Sequence, residues 1–272
     1  MGDLLTDSEF EQFRKLIYKE SGISFSETNR SILDSRLHDR LRKTGIATIK
    51  EYYDKLQKDE EEMKVMLDSI TTNLTRFFRN QAHFDALVNY ILPELIKVKK
   101  AQNNTCITVW SAGCSTGEET YSLAMILKDK LPAPYTFKIV ASDLSLTSLL
   151  VGQKGFYPAS RISGIPEDYL ARFFTQTDNG GYQVKKEIMD TIRFDYHNLT
   201  HETGLKNLDI VFCRNVLIYF DEAAQLEVIN KFWDSMAAKS YLFIGHSESL
   251  FGMNTKFQFL KTDWACLYQK NI

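Results

Sequence analysis

The stretch Cys106–Ala112 is an apolar, β-branched run that ends on Gly113, and Glu119–Leu131 carries apolar residues at helical spacing. A strand that enters a helix through a tight turn, with a second strand candidate at Phe137–Ser142, commits this part of the chain to a parallel sheet. Further strands are expected at Ile192–Tyr196, Leu208–Cys213, Tyr241–Ile244 and Trp264–Tyr268, with a helix over Glu222–Ala238. The spacing therefore predicts an α/β domain.

The residues before it have a different rhythm. Phe10, Phe13, Leu16 and Ile17, then Ile32, Leu33, Leu37 and Leu41, then Met63, Met66, Leu67 and Ile70 recur at helical spacing. Thr6 and Glu9 form a capping box, and Gly22 and Gly45 fall where helices end. A longer helix runs through Phe84, Leu87, Ile91 and Leu95. The expected division is an all-helical domain over 1–75 and an α/β domain over 76–272. Within the second, about 152–192 is broken by Gly155, Pro158, Gly164 and Pro166. The turn Asp178–Gly181 then leads into Tyr182–Val184, which predicts a small inserted β-subdomain.

A length of 272 residues accommodates two domains, and 44% hydrophobic residues with five prolines leave little room for disorder. The net charge of −2 supplies no bulk attraction to nucleic acid. No apolar stretch approaches the ~20 residues of a membrane span, and Met1–Asp7 lacks a leader pattern, so a cytoplasmic protein without membrane insertion is expected. Cys106, Cys114, Cys213 and Cys266 show no paired spacing and read as reduced, structural residues, with no metal site.

Candidate chemistry gathers at the ends of the strands. Gly113 and Gly117 suit a turn where backbone approaches a ligand and the next helix points its N–H groups at an anion; a merely tight structural bend is an equal reading. The turn matches neither a triphosphate loop nor a dinucleotide fingerprint, which favours a smaller nucleoside. Asp143, after the second strand, is placed to accept hydrogen bonds from a ribose, or to cap the next helix. Asn198 can offer its amide to an adenine edge. Arg214 and Asn215 end an apolar strand where open α/β sheets hold ligands, although Arg214 could pair with a structural carboxylate and Tyr219 could pack in the core.

At the junction between the two halves, Asn73, Thr75 and Arg79 have a role if a ligand lies between domains, with Phe77 and Phe78 in the core and Arg76 solvated. Arg36, Arg40, Arg42 and Lys43 form a cationic cluster that is either a docking face or an ordinary solvated surface. His246, Ser247 and Glu248 are consecutive and cannot form a relay, so their loop is structural or rims the cleft.

Four ordered stretches, Thr72–Arg79, Trp110–Glu119, Ala141–Ser145 and Phe212–Phe220, together resemble the chemotaxis receptor glutamate methyltransferase family (CheR) over nearly the whole chain. The resemblance implies a Rossmann-like S-adenosylmethionine-dependent methyltransferase domain behind the helical domain. It implies methyl transfer to glutamate side chains on the cytoplasmic helices of chemoreceptors, giving glutamyl methyl esters and S-adenosylhomocysteine. Carried over, Asn73, Thr75, Arg79, Glu118, Asp143, Asn198, Leu199, Arg214 and Asn215 line the cofactor site above the Gly113 turn. Arg79 and Tyr219 stand near the transferred methyl, and Arg36, Arg40, Arg42 and Lys43 dock the receptor. Grip on a receptor C-terminal tail peptide is left open, and the short loop Thr175–Gly181 favours action without it. The chain after Arg214 lacks the proline of base-methylating enzymes, and retention of Arg79, Asp143 and Tyr219 argues against a catalytically silent adaptor. A monomer is expected.

Overall fold

A computed structural model describes residues 5–272; the first four residues of Met1–Asp7 lie outside it. Helices α1 (Asp7–Ser21), α2 (Arg30–Thr44), α3 (Ile49–Leu56) and α4 (Glu60–Ile70) pack around one core of Phe10, Phe13, Leu33, Leu37, Tyr52 and Met66. The Thr6 hydroxyl accepts from the Glu9 N–H while Glu9 returns to the Thr6 N–H, so the first helix starts where its capping box predicts. Gly22 and Gly45 end α1 and α2 in the left-handed conformation.

The long helix of the junction is not regular. Helix α5 (Gln81–Ala86) passes through a π turn at Leu87–Ile91 into α6 (Leu92–Ala101). Pro93 has no N–H for the carbonyl four residues back, and widening the preceding turn accommodates the missing bond.

The sheet comprises β1 (Cys106–Ala112), β2 (Thr136–Asp143), β6 (Ile192–Tyr196), β7 (Leu208–Cys213), β8 (Met236–Ile244), β9 (Gln258–Lys261) and β10 (Cys266–Lys270), in the order β6-β2-β1-β7-β8-β10-β9. Five strands are parallel, and β10 and β9 are antiparallel, so the sheet is mixed. The connection of four residues between β9 and β10 is too short for a crossover, which forces a hairpin. Helix α7 (Glu118–Lys130) lies on one face with α5 and α6, and α11 (Glu222–Ser235) on the other. Helix α11 stops before the expected Ala238 because Met236 turns extended and pairs with Leu208.

Helix α8 (Leu146–Lys154) precedes an insertion of β3 (Phe156–Pro158), α9 (Glu167–Phe173), β4 (Phe174–Gln176), β5 (Gly181–Val184) and α10 (Lys186–Met189). Its three strands form a separate antiparallel sheet in the order β3-β5-β4, one strand more than a hairpin. Cys114 and Cys213 are buried, Cys106 is half-buried and Cys266 is exposed. Among the described residues no helix is long and apolar enough to cross a membrane.

Candidate active site

Strand order reverses at β1, whose neighbours β2 and β7 lead to opposite halves of the sheet. The carboxyl ends of these strands open on a cleft of about 1280 Å³, its mouth included. A crevice at this reversal point is where open α/β sheets hold ligands. The helical domain supplies its outer wall through Ser21, Ile23, Phe25, Asn29 and Ile32. Sequence reasoning missed this wall, because apolar periodicity marks a helix's buried face without saying which loops lie over a distant sheet.

Several bonds hold that wall in place. The Asn198 amide donates to the Glu20 carbonyl at 2.8 Å, and its oxygen accepts from the N–H and hydroxyl of Thr200. Asn198 and Leu199 line the cleft, and the Asn198 amide uses one of its two N–H groups to tie the chain after β6 to α1. Asp68 of α4 accepts from Ser145, and from Thr147 at 2.7 Å. Ile23 pairs with Phe220, and the Ser24 N–H donates to the Tyr219 carbonyl at 2.9 Å.

The turn after β1 holds positive φ at Gly113 (78°), Ser115 (49°) and Gly117 (93°). Three of its N–H groups are spent on the neighbouring strand: Gly113 and Cys114 donate to the Ser142 carbonyl, and Ser115 to Asp143 Oδ2 at 2.7 Å. The other Asp143 oxygen accepts from the Ser145 N–H at 2.8 Å. Burial pushes the Asp143 carboxyl up, against the pull of the N–H groups of Ser145 and Ser115. Each carboxylate oxygen has a second lone pair, and Asp143 lines the cleft. The cap of α8 is Ser145, not Asp143. Gly113 lines the cleft, but its missing side chain is explained by Val216, whose Cγ1 would lie 3.3 Å from a Cβ there and whose Cγ2 would lie closer. Gly117 packs on Gly152 and Tyr157 instead, away from the cleft.

The two glutamates that follow divide. Glu119 faces the cleft, accepts from Ser111 at 3.0 Å and pairs with Arg214 at 3.3 Å. Burial pushes its carboxyl up, opposed by Arg214, Ser111 and Arg79. Glu118, the residue carried over as a cofactor contact, is turned away from the cleft and is fully buried against Thr116 and Arg161. Adjacent helical residues point about 100° apart, and the sequence holds no signal for which acid faces the ligand.

Arg214 is buried; it also donates to the Arg79 carbonyl at 2.6 Å and lies over the Phe84 ring. It fixes the junction to the sheet, the structural pairing left open above, while forming part of the cleft wall. Asn215 takes a positive φ of 61°, held by Glu248, which accepts from the N–H groups of Asn215 (2.9 Å), Ile218 (3.3 Å) and Gly245. The loop of His246, Ser247 and Glu248 thus shapes the strand exit through one carboxylate.

Asn73, Thr75, Arg79, Asn215 and Tyr219 are all brought to the cleft. Phe77 is buried and Arg76 exposed, as their positions imply. The Arg79 side chain donates to the Leu74 carbonyl at 3.0 Å and has no carboxylate partner among the described residues. The Tyr219 hydroxyl lies 3.5 Å from the Thr72 carbonyl.

The four cations of α2 do not form one free cluster. Arg40 is turned inward, bonded through Nε and Nη2 to Glu62 at 2.7–3.0 Å, and Glu62 also accepts from the buried Tyr52 hydroxyl at 2.7 Å. At 40° from Arg36 and 60° from the buried Leu37 on a helical wheel, it belongs to the core edge. Arg42 is exposed and pairs with Asp39. Arg36 and Lys43 remain exposed on the side of Ile32, which lines the cleft.

Among the described residues, five buried side-chain polar atoms have no partner, and three of them, Ser115 Oγ, His197 Nε2 and Arg214 Nε, belong to cleft residues. These atoms are themselves sealed from the cleft, so a ligand there meets other atoms of Ser115, His197 and Arg214. The Asp143 carboxylate, with Leu199 and His197 in the same cleft, suits a nucleoside, and the Glu119–Arg214 pair suits a zwitterionic tail. The residues present fit S-adenosylmethionine.

Comparison with known proteins agrees. Residues 73–266 match the profile described as CheR methyltransferase, SAM binding domain, and residues 8–71 that of CheR methyltransferase, all-alpha domain. The chain is 36% identical over 274 residues to the chemotaxis protein methyltransferase of Borreliella burgdorferi, covering 98% of this chain and 95% of that one. It is 33% identical over 261 residues to the chemotaxis protein methyltransferase of Escherichia coli, covering 93% and 88%. Among solved structures, the N-methyltransferase NodS from Bradyrhizobium japonicum with S-adenosyl-L-homocysteine is a distant likeness: 12% identity, 56% of this chain and 58% of that one, TM-score 0.32. The matched profiles span both halves of the molecule and the relatives nearly all of it: the chain belongs to the CheR methyltransferase family, and S-adenosylmethionine is its cofactor.

Proposed function

We propose that this protein methylates glutamate side chains on the cytoplasmic helices of chemoreceptors, forming glutamyl methyl esters, and that it acts in the cytoplasm. The observation that carries this reading is Arg79, a guanidinium in the cleft whose side chain, among the described residues, donates only to a backbone carbonyl. Such a group has donors left for a carboxylate. The exposed Arg36 and Lys43 extend the same charge along α2 from the mouth, toward which an acidic helix would be drawn.

S-adenosylmethionine supplies an electrophilic methyl on a sulfonium. A glutamate of pKa ~4.3 is already ionised at neutral pH, so the protein need supply no base. Its residues position and desolvate. Asp143 is placed for the ribose, Leu199 and the His197 ring for the base, and Glu119 with Arg214 for the amino-acid tail. Asn73, Thr75 and Asn215 complete the wall. Arg79 orients the incoming carboxylate, and Tyr219 shapes the passage to the methyl. Opposite charges are neutralised during the transfer, which a dry cleft favours over water.

The test is transfer of labelled methyl from the cofactor to a receptor cytoplasmic fragment, followed by mild base. Base-labile label on glutamate is expected, and base-stable label, or label on nucleic acid alone, refutes the reading. Titration with receptor tail peptides is expected to show no binding, in line with the short loop at Thr175–Gly181.

A further inference from the structure

The inserted subdomain is bolted to both ends of α7, and only one of those ends bears on the cofactor turn. At the N-terminal end, Arg161 donates to Thr116 Oγ1 at 2.7 Å and pairs with Glu118, whose side chain is 1% exposed. Thr116 in turn donates to Glu118 at 2.7 Å, and the Tyr157 hydroxyl donates to the Thr116 carbonyl at 2.7 Å. At the other end, Arg172 pairs with Asp129 at 2.6 Å and the Tyr169 hydroxyl donates to it at 3.0 Å. The two ends are eleven residues apart in sequence, Glu118 to Asp129, or about 16 Å along the helix.

The segment between Gly113 and Gly117 is strained, with Ser115 in a conformation that a residue bearing a side chain rarely adopts. Gly113, Cys114 and Ser115 face the cleft. Asp143 holds this turn from the β2 side, and Arg161, Glu118 and Tyr157 hold it from behind. None of these last three lines the cleft.

We propose that Arg161 is a positioning residue for the cofactor. Through Thr116 and Glu118 it keeps the turn in its ligand-ready shape, so the inserted subdomain sets cofactor affinity as well as standing beside the cleft. Because the coupling is one of binding free energies, it runs both ways: cofactor occupancy must also steady Phe156–Arg161.

The test titrates S-adenosylhomocysteine into the intact protein by calorimetry and follows thermal unfolding in parallel. Arg161→Ala is expected to raise Kd about tenfold and Arg161→Lys, which keeps the charge, by less than about threefold. Arg172→Ala is the control: it loosens the same subdomain at the far end of α7, and should lower the melting temperature with Kd unchanged within about twofold. Should Arg161→Ala fail to fold because Glu118 is left buried and unpaired, Arg161→Ala combined with Glu118→Gln removes that charge and should show the same rise in Kd. Ligand should slow amide exchange over 156–161 in the unmodified protein and not in the variant. An unchanged Kd in the folded variant, or an equal rise in Arg172→Ala, overturns the proposal.

Discussion

Replacing Gly113 with alanine probes how the cleft is assembled. The position has φ 78°, where a side chain costs roughly 1–2 kcal/mol. The new Cβ would press into both methyl groups of Val216, and overpacking of that kind adds about 1–3 kcal/mol. The sum is roughly 2–5 kcal/mol, large against a total stability of about 5–15 kcal/mol. Val216→Ala alone removes two methyl groups at a half-buried site and should cost about 1 kcal/mol. Made together, the two substitutions leave the backbone strain and remove the clash, so the pair should be less destabilised than the sum of the singles by about 1–3 kcal/mol. Urea unfolding of the four proteins measures this. S-adenosylhomocysteine titration should follow the same order, because Val216 adjoins Asn215 in the cleft wall. Additivity within about 0.5 kcal/mol would falsify the idea that this glycine exists to let β1 and β7 close on each other.

Arg40→Ala breaks a buried pair and should cost about 3–5 kcal/mol of stability. Reversing Arg36 and Lys43 together should leave unfolding within about 0.5 kcal/mol while cutting methylation of receptor helices, chiefly through KM. Equal losses of stability from both changes would refute the division of α2 into a core edge and a free face. Glu248→Ala strands three backbone N–H groups and should lower kcat more than tenfold with about 2 kcal/mol of stability; a silent substitution removes its role in shaping the strand exit. The Asp129 carboxyl is held down to about 2 by Lys130, Arg172 and Tyr169, against its burial. Its folded value lies below the unfolded one, so its contribution is complete above about pH 4 and fades as pH falls toward 2. Asp129→Asn should therefore destabilise the protein at pH 7 and make no difference near pH 2, where a persisting difference would point to a loss of packing.

The sequence itself determined the layers. Periodicity and turn residues specify the helical domain, the strand–turn–helix unit of β1 and α7, and the polar residues at strand ends, because local spacing decides which face of an element is apolar. Arg214, Asp143 and the Asn73–Arg79 junction could be picked out for that reason: polar groups at the end of an apolar run have no packing role to explain them. What only the tertiary structure decided depends on direction rather than type. Glu119 and not Glu118 faces the cleft, Arg40 is sealed against Glu62 while Arg36 is not, and Asn198 bonds to α1. Neighbouring residues of the same chemistry differ only in the way they point, and that is fixed by partners far along the chain: 22 positions away for Arg40 and 178 for Asn198. The Gly113 turn shows both halves of this. Its glycines marked the strand-to-helix bend, but the reason for the first of them is Val216, which the fold brings across from the end of another strand.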